Sequence, residues 1–544
     1  MPDTKTLPQA RLSRLPGPAL RWTGGVMLVV AILVTAFGWA IASPIAGSPD
    51  DDFHLGSAWC PRPVSSSGCE TTVIDGEVRI IVPEIVSNKT TCYVFNSDES
   101  AACQNAMSDE KMTDSSRYDD GNYPIGYYHF HHLLVTDNEV FSVLVMRMVN
   151  VGIAVLLLGL IGVAIPAGMR RAYLLTMVLA WMPMGLYFIA SNNPSSWSLT
   201  GVFAYAAGLY TSVRATGRQR WILLGLALVG ALLSYTSRGD AAFFIFVVSL
   251  AVLVGVRWSR QMWVQAGVAG VASVIGAWIM TTTGQSRAVS SEPPPTLSFR
   301  EALRTNITSL PEYFAGFYGR RLGAGWFDVP FDGAITIIAL CLAGAALLLG
   351  VRTMTWRKAL SVLVVSGAIA GIPVVMSLQL GFMRTYQYQP RYMLPLLAVF
   401  FFISFVMGAR EPLISRHQAI LIAVMSVLVQ LFALHTVLLR YTHGIDNPDH
   451  PLFNLNHQIE WWWNTPVSPM AVWLLSSVAY SMVLVLGFLL TQAQPDEPED
   501  VEIEAARAKA VKTVMAVECT DATESAESAE TVDATETTGA AETT

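Results

Sequence analysis

The chain has 544 residues, 53% of them hydrophobic and only 14% charged, with a mean hydropathy of +0.45 and a formal net charge of −7. Apolar stretches recur almost to the end, which excludes a soluble protein of several cores: the bilayer has to supply the apolar surroundings. No nucleic-acid partner is expected.

Apolar stretches of spanning length fall, in chain order, at 22–43, 140–165, 172–190, 198–213, 221–236, 241–256, 262–281, 332–351, 359–380, 392–409, 418–438 and 468–491. They predict an all-α polytopic membrane protein of about 12 transmembrane helices. The pair 221–236 and 241–256 is short, so a tilted or re-entrant hairpin there would change the count by two and leave its parity intact. The first stretch has a basic flank and ends in Ala42 and Ser43, as a signal peptide would, but its length and the spans that follow favour an uncleaved anchor.

Arginine and lysine cluster in alternate short loops: Arg11, Arg14 and Arg21; Arg170 and Arg171; Arg214, Arg218 and Arg220; Arg257 and Arg260; Arg352, Arg357 and Lys358; Arg410 and Arg416. Positive-inside bias then makes both termini cytoplasmic and puts 44–138, 282–331, 381–391 and 439–467 outside a bacterial cytoplasmic membrane. The expected organisation is a cytoplasmic segment 1–21, a membrane domain 22–491 that includes the first outer loop 44–138, and a tail 492–544. That tail holds fourteen acidic and three basic residues, reads as disordered and cytoplasmic, and leaves the rest of the chain at about +4.

The 44–138 loop is too long to be a connection and is expected to fold as a small cap, with a strand at Val78–Val86. Four of the six cysteines, Cys60, Cys69, Cys92 and Cys103, lie in it, which suggests two disulfides. Of three connectivities the nearest-neighbour one, closing two short loops, is preferred. Zinc is the competing reading, but the paired short gaps of zinc sites are missing.

The helix interiors hold Arg147 and His435 and no acid away from a helix end, which argues against an ion-coupled transporter. Acids, histidines and several arginines collect outside instead. The most pointed cluster is Pro49, Asp50, Asp51, Asp52, Phe53, His54, directly after the first span. Adjacent carboxylates repel unless a cation shares them, and the same field can raise one of them toward the working range of a general base. A divalent ion (Mg, Mn or Ca) held by Asp50, Asp51 and Asp52 would relieve the repulsion. Asp119 and Asp120 read as a loop turn, and His129, His131 and His132 as interfacial structure rather than metal ligands.

Pro49, Asp50, Asp51 and His54 resemble the P-D-E-x-x-H signature that follows the first helix in a group of bacterial predicted membrane proteins assigned to the GT-C superfamily of integral-membrane glycosyltransferases. Asp51 stands where Glu is usual, a carboxylate shorter by one methylene. Asn122, Tyr123 and Pro124 before Tyr127 and Tyr128, Ser191 to Pro194, Ser237, Arg238 and Asp240, and Pro390 to Pro395 are similar to further motifs of that group, in the same order. The resemblance implies a GT-C-like fold and transfer of a sugar from a polyprenyl-phosphate donor, with Asp50 or Asp51 as catalytic base, metal ligand or both.

Displacement at an anomeric carbon by a hydroxyl needs one base and inverts configuration, while the departing lipid phosphate needs positive charge more than an acid. Arg391, Arg384 and Arg238 are the candidate phosphate ligands, since guanidinium forks match phosphate oxygens. His54, Tyr123, Asn193, Asp240 and Tyr392 complete the expected substrate contacts, with a cell-envelope glycan or lipid as acceptor. No Gly-rich nucleotide loop is present, which favours a lipid-phosphate donor. Tyr313, Phe314, Phe317, Tyr318, Trp326 and Trp461 to Trp463 read as an interfacial belt that borders an acceptor groove, and 306–322 as an amphipathic helix on the membrane. Two other classes remain open: a lipid-linked glycan carrier or flippase, and a non-catalytic assembly subunit.

Overall fold

A computed structural model describes residues 18–107, 111–284, 297–331, 333–407, 414–446, 453–463 and 465–491. The expectations for the 492–544 tail and for most of 1–21 lie outside the described residues.

Seventeen helices are found among them: α1 (Pro18–Ala42), α2 (Asp51–Trp59), α3 (Gly126–His132), α4 (Glu139–Ala164), α5 (Arg170–Trp181), α6 (Met184–Ile189), α7 (Ser195–Arg214), α8 (Gly217–Ser237), α9 (Gly239–Gly255), α10 (Trp263–Thr282), α11 (Phe299–Thr308), α12 (Leu310–Ala315), α13 (Ala334–Val351), α14 (Trp356–Gln379), α15 (Leu394–Val406), α16 (Arg416–His443) and α17 (Pro469–Leu490). Each of the twelve predicted apolar stretches is helical. Eight helices are long and apolar enough to cross a membrane: α1, α4, α8, α10, α13, α14, α16 and α17. Helix α9 and the Pro390–Val406 segment that contains α15 are apolar but shorter. The predicted stretch 172–190 is broken into α5 and α6 at Pro183, which has no N–H to continue the helix.

Side-chain caps set several helix starts. Asn138 accepts from Phe141 N ahead of α4, Thr355 from Lys358 N ahead of α14, and Ser415 and Gln418 form a capping box on α16. Helices α7 and α8 pack at backbone contact through Gly201 and Gly230: a Cβ on either would meet backbone atoms of the other helix at 2.6–2.7 Å.

The helix order brings the loops around 43–138, 309–333, 380–393 and 453–468 to one end of the bundle, opposite the arginine-bearing turns. There the 44–138 segment folds as a cap. Strands β1 (Thr71–Ile74), β2 (Glu77–Pro83) and β3 (Met112–Ser115) form an antiparallel sheet in that order, with Thr72 opposite Arg79 and Ile81 opposite Asp114. Asp75 and Gly76, both at positive φ, make the two-residue turn of the first hairpin. The predicted strand at 78–86 is β2, ended early by Pro83 and a 3₁₀ turn at Glu84–Val86.

Arg440 of α16 ties the cap to the bundle: its guanidinium, fully buried, donates to the carbonyls of Glu99, Tyr93 and Asn96 and pairs with Asp328 at 2.9 Å. The cap's cysteines pair as nearest neighbours, Cys60 with Cys69 and Cys92 with Cys103. The first bond closes a separation of nine residues directly after α2. Replacing Cys60 and Cys69 by alanine is expected to cost roughly 2–3 kcal/mol, the chain-entropy value for a loop of that size, read as a lower thermal midpoint of the purified protein. An unchanged midpoint would mean that packing alone holds the loop.

Candidate active site

The acidic run lies where α1 gives way to the cap. Asp50 is the N-cap of α2 and takes the left-handed conformation, φ +63, which Asp tolerates better than most residues. From there successive residues project about 100° apart, so the three carboxylates diverge.

Asp50 points into a cavity. Its Oδ1 lies 3.1 Å from Arg117 Nη2 and its Oδ2 3.0 Å from Arg391 Nη2, and the side chain keeps 38% exposure. Burial pushes the Asp50 carboxyl up, but attraction to Arg391 and Arg117 outweighs it and holds the group below the usual carboxylate range.

Asp52 is buried and takes the other side of Arg117, which donates from Nε at 3.0 Å and from Nη2 at 3.1 Å.

Asp51 turns inward and is fully buried. It accepts from Ser48 Oγ and lies 3.6 Å from Arg147, whose guanidinium also donates to the carbonyls of Ala40, Ser43 and Pro44 at 2.6–2.8 Å. Burial raises the Asp51 carboxyl to about 6, against the pull of Arg147 and Ser48. The Asp51–Arg147 pair therefore closes the end of α1, satisfying carbonyls that the helix leaves open. As a base, Asp51 does not reach the cavity, which corrects its expected role.

The donor geometry likewise does not fit a metal ion shared by Asp50, Asp51 and Asp52. Arg117 stands between Asp50 and Asp52, where a cation would sit, and among the described residues no three His, Cys, Asp or Glu side chains gather anywhere. The three histidines of α3 diverge too: His129 reaches the Arg62 carbonyl, His131 the Tyr127 carbonyl and Asn150, and His132 the Ala58 carbonyl.

The cavity has a volume of about 310 Å³, and its wall includes Asp50, Arg117, Tyr123, Arg238, Asp240 and Tyr392. Arg238, at the junction of α8 and α9, forms a two-pronged pair with Asp240 at 2.9 Å and stacks over Tyr392 and Tyr123. Met280 of α10 and Met376 of α14 bring apolar surface to the same wall. Three guanidinium groups and the three carboxylates Asp50, Asp52 and Asp240 are thus interleaved around one space. Arg391 Nε and Nη1 are buried without a hydrogen-bond partner.

Of the predicted substrate contacts, Tyr123, Arg238, Asp240 and Tyr392 line the cavity, and Arg391 reaches it through Asp50. Asn193 instead donates to the Pro49 carbonyl and accepts from Ser195 N, which holds the turn that presents Asp50. Arg384 is exposed on the Thr385–Gln387 turn and is not among the lining residues, a correction to its predicted phosphate role. Asp119 makes the expected turn, accepting from the backbone of Asn122 and Tyr123.

The residue that sequence reasoning missed is Arg117. It lies 65 and 67 positions from its partners Asp52 and Asp50, and no local spacing marks it. The predicted aromatic groove is also corrected. Tyr313, Phe317, Tyr318, Trp462 and Trp463 are buried, and the Trp463 ring N–H donates to the Ile41 carbonyl.

His54 sits behind Asp50, its Nδ1 2.9 Å from the Tyr128 hydroxyl. Burial lowers its pKa to about 3, with the nearby Arg238, Arg391 and Arg117 adding to the effect against the pull of Asp50. A folded pKa below the ordinary 6.5 gives stability that is present above pH 6.5 and lost as pH falls toward 3. The thermal midpoint of the wild type should therefore drop more steeply on acidification through that window than that of His54→Gln. Parallel curves would show that His54 takes up its proton without unfolding the cap.

These features define a multi-pass membrane protein whose disulfide-bonded cap encloses a small, densely charged cavity at one end of its helices. Residues 33–401 match the family described as predicted membrane protein (DUF2142), and the chain belongs to that family. No curated protein and no solved structure matches the chain.

Proposed function

We propose that the protein is an inverting glycosyltransferase of GT-C type, with about twelve spans and both termini cytoplasmic, that moves a sugar from a polyprenyl-phosphate donor to a cell-envelope glycan or lipid outside the cytoplasmic membrane. The observation that carries this reading is the Asp50 carboxylate, open to a cavity and flanked at 3.0–3.1 Å by Arg391 and Arg117.

Ion-paired in the resting site, Asp50 is ionised but a weak base. An arriving phosphate competes for the same guanidinium groups, and as Arg391 and Arg117 turn to it the Asp50 carboxyl loses the charges that hold it down. Asp50 then takes the proton of the acceptor hydroxyl, the hydroxyl oxygen bonds to the anomeric carbon, and the bond from that carbon to the phosphate oxygen breaks. The lipid phosphate leaves with the electron pair, its charge spread over Arg238 and Arg391. Tyr123 and Tyr392 offer ring faces and hydroxyls to the sugar. No step requires a metal ion.

The test is incubation of the purified protein with labelled polyprenyl-phosphate sugars and envelope-lipid acceptors. A product of inverted anomeric configuration supports the proposal, and absence of transfer from every such donor contradicts it.

A further inference from the structure

The amphipathic helix expected at 306–322 lies earlier in the chain, and its position suggests a role. Helix α11 starts with a capping box between Ser298 and Glu301 and buries Ala302 and Asn306, one turn apart. Beside that buried face runs an apolar one, Phe299, Leu303 and Ile307, at the four-residue spacing of a helix ridge. Phe299 is 72% exposed and Ile307 50%. Arg300 and Arg304 flank it on the next ridge, both exposed, and neither has a carboxylate partner among the described residues.

The helix sits at the cap-side ends of the spanning helices. It packs on α14, and Asn306 Nδ2 donates to the Phe382 carbonyl just beyond the end of α14. An apolar ridge at that depth, edged by arginines, has the chemistry of a helix lying in a membrane interface with cations toward phosphate headgroups.

The same helix is wired to the cavity. Thr385 Oγ1 donates to the Asn306 carbonyl at 2.7 Å, and Thr385 N to Ser309 Oγ at 3.0 Å. Those bonds pin the Thr385–Gln387 turn, from which the chain runs on through Tyr388, Arg391 and Tyr392. We infer that α11 is a membrane-surface helix, seated in the cap-side leaflet on anionic phospholipid, that sets the position of the segment carrying Arg391 and Tyr392. This inference does not depend on the transfer reaction.

The experiment is spin labelling of single cysteines along α11 in the full chain, with Cys341 and Cys519 replaced by serine and the protein in nanodiscs of phosphatidylcholine, alone or mixed with phosphatidylglycerol. Labels at 299, 303 and 307 are expected to be accessible to oxygen and shielded from a water-soluble relaxing agent, and those at 301, 305 and 308 the reverse. Phosphatidylglycerol should deepen the first set, and the double variant R300Q/R304Q should lose that shift while keeping the periodicity. Uniform exposure of all six positions to the water-soluble agent would overturn the inference. So would shielding of 299, 303 and 307 from both agents, which would mean that protein covers the ridge, or a depth that ignores phosphatidylglycerol.

Discussion

Asp50→Asn is expected to slow sugar transfer by about 10²–10⁴-fold, the contribution of one well-placed general base. The amide keeps the shape of the carboxylate and can still accept from Arg391 and Arg117, so the cavity should stay folded. What it loses is the ability to take a proton as the acceptor oxygen bonds to carbon. Removing a negative charge from a cavity built to receive phosphate should leave donor KM unchanged or lower, so the loss falls on kcat. Asp51→Asn is the matched control. Its side chain faces Arg147 rather than the cavity, and the account predicts near-normal transfer by whatever fraction of that variant folds. Equal losses in the two variants would break the division of roles between neighbouring aspartates.

Arg147→Met is expected to be the most damaging single change to stability, at roughly 3–5 kcal/mol, because removal of one partner leaves a buried charge unanswered. Asp51 would remain fully buried beside an apolar side chain, and the carbonyls of Ala40, Ser43 and Pro44 would lose their donor. Asp51 relieves part of the cost by taking up a proton, its carboxyl being raised already. The double variant Arg147→Met with Asp51→Asn should therefore melt higher than Arg147→Met alone, though below wild type. Thermal unfolding of all three in one detergent measures this. A double variant that melts below the single one would show that the two side chains do not act as a pair.

The membrane class and the helical stretches were legible because burial in lipid demands long apolar runs, and such runs survive without knowledge of their neighbours. The cap's disulfide pairing was legible from short separations. The acidic run was legible as a place, but not as three separate side chains: which of Asp50, Asp51 and Asp52 meets the cavity depends on the left-handed turn at Asp50 and on where α2 begins. Arg147, noted as a lone charge within a span, carried no sign that it would answer both Asp51 and the end of α1. Arg117 was illegible because its partners lie on the far side of the sheet in sequence. Arg384 and the tryptophans at 461–463 show the converse error, in which residue type suggested a role that position denies.

The central claim is that the space beside Asp50 receives a lipid phosphate. The most direct measurement is an electron cryo-microscopy structure in nanodiscs loaded with polyprenyl phosphate. The account predicts the phosphate within hydrogen-bonding reach of Arg391 and Arg238, the Asp50 carboxylate released from at least one guanidinium, and the hydrocarbon chain leaving toward the bilayer. A phosphate bound elsewhere, with Asp50 still clasped by both Arg117 and Arg391 and the cavity empty, would contradict it.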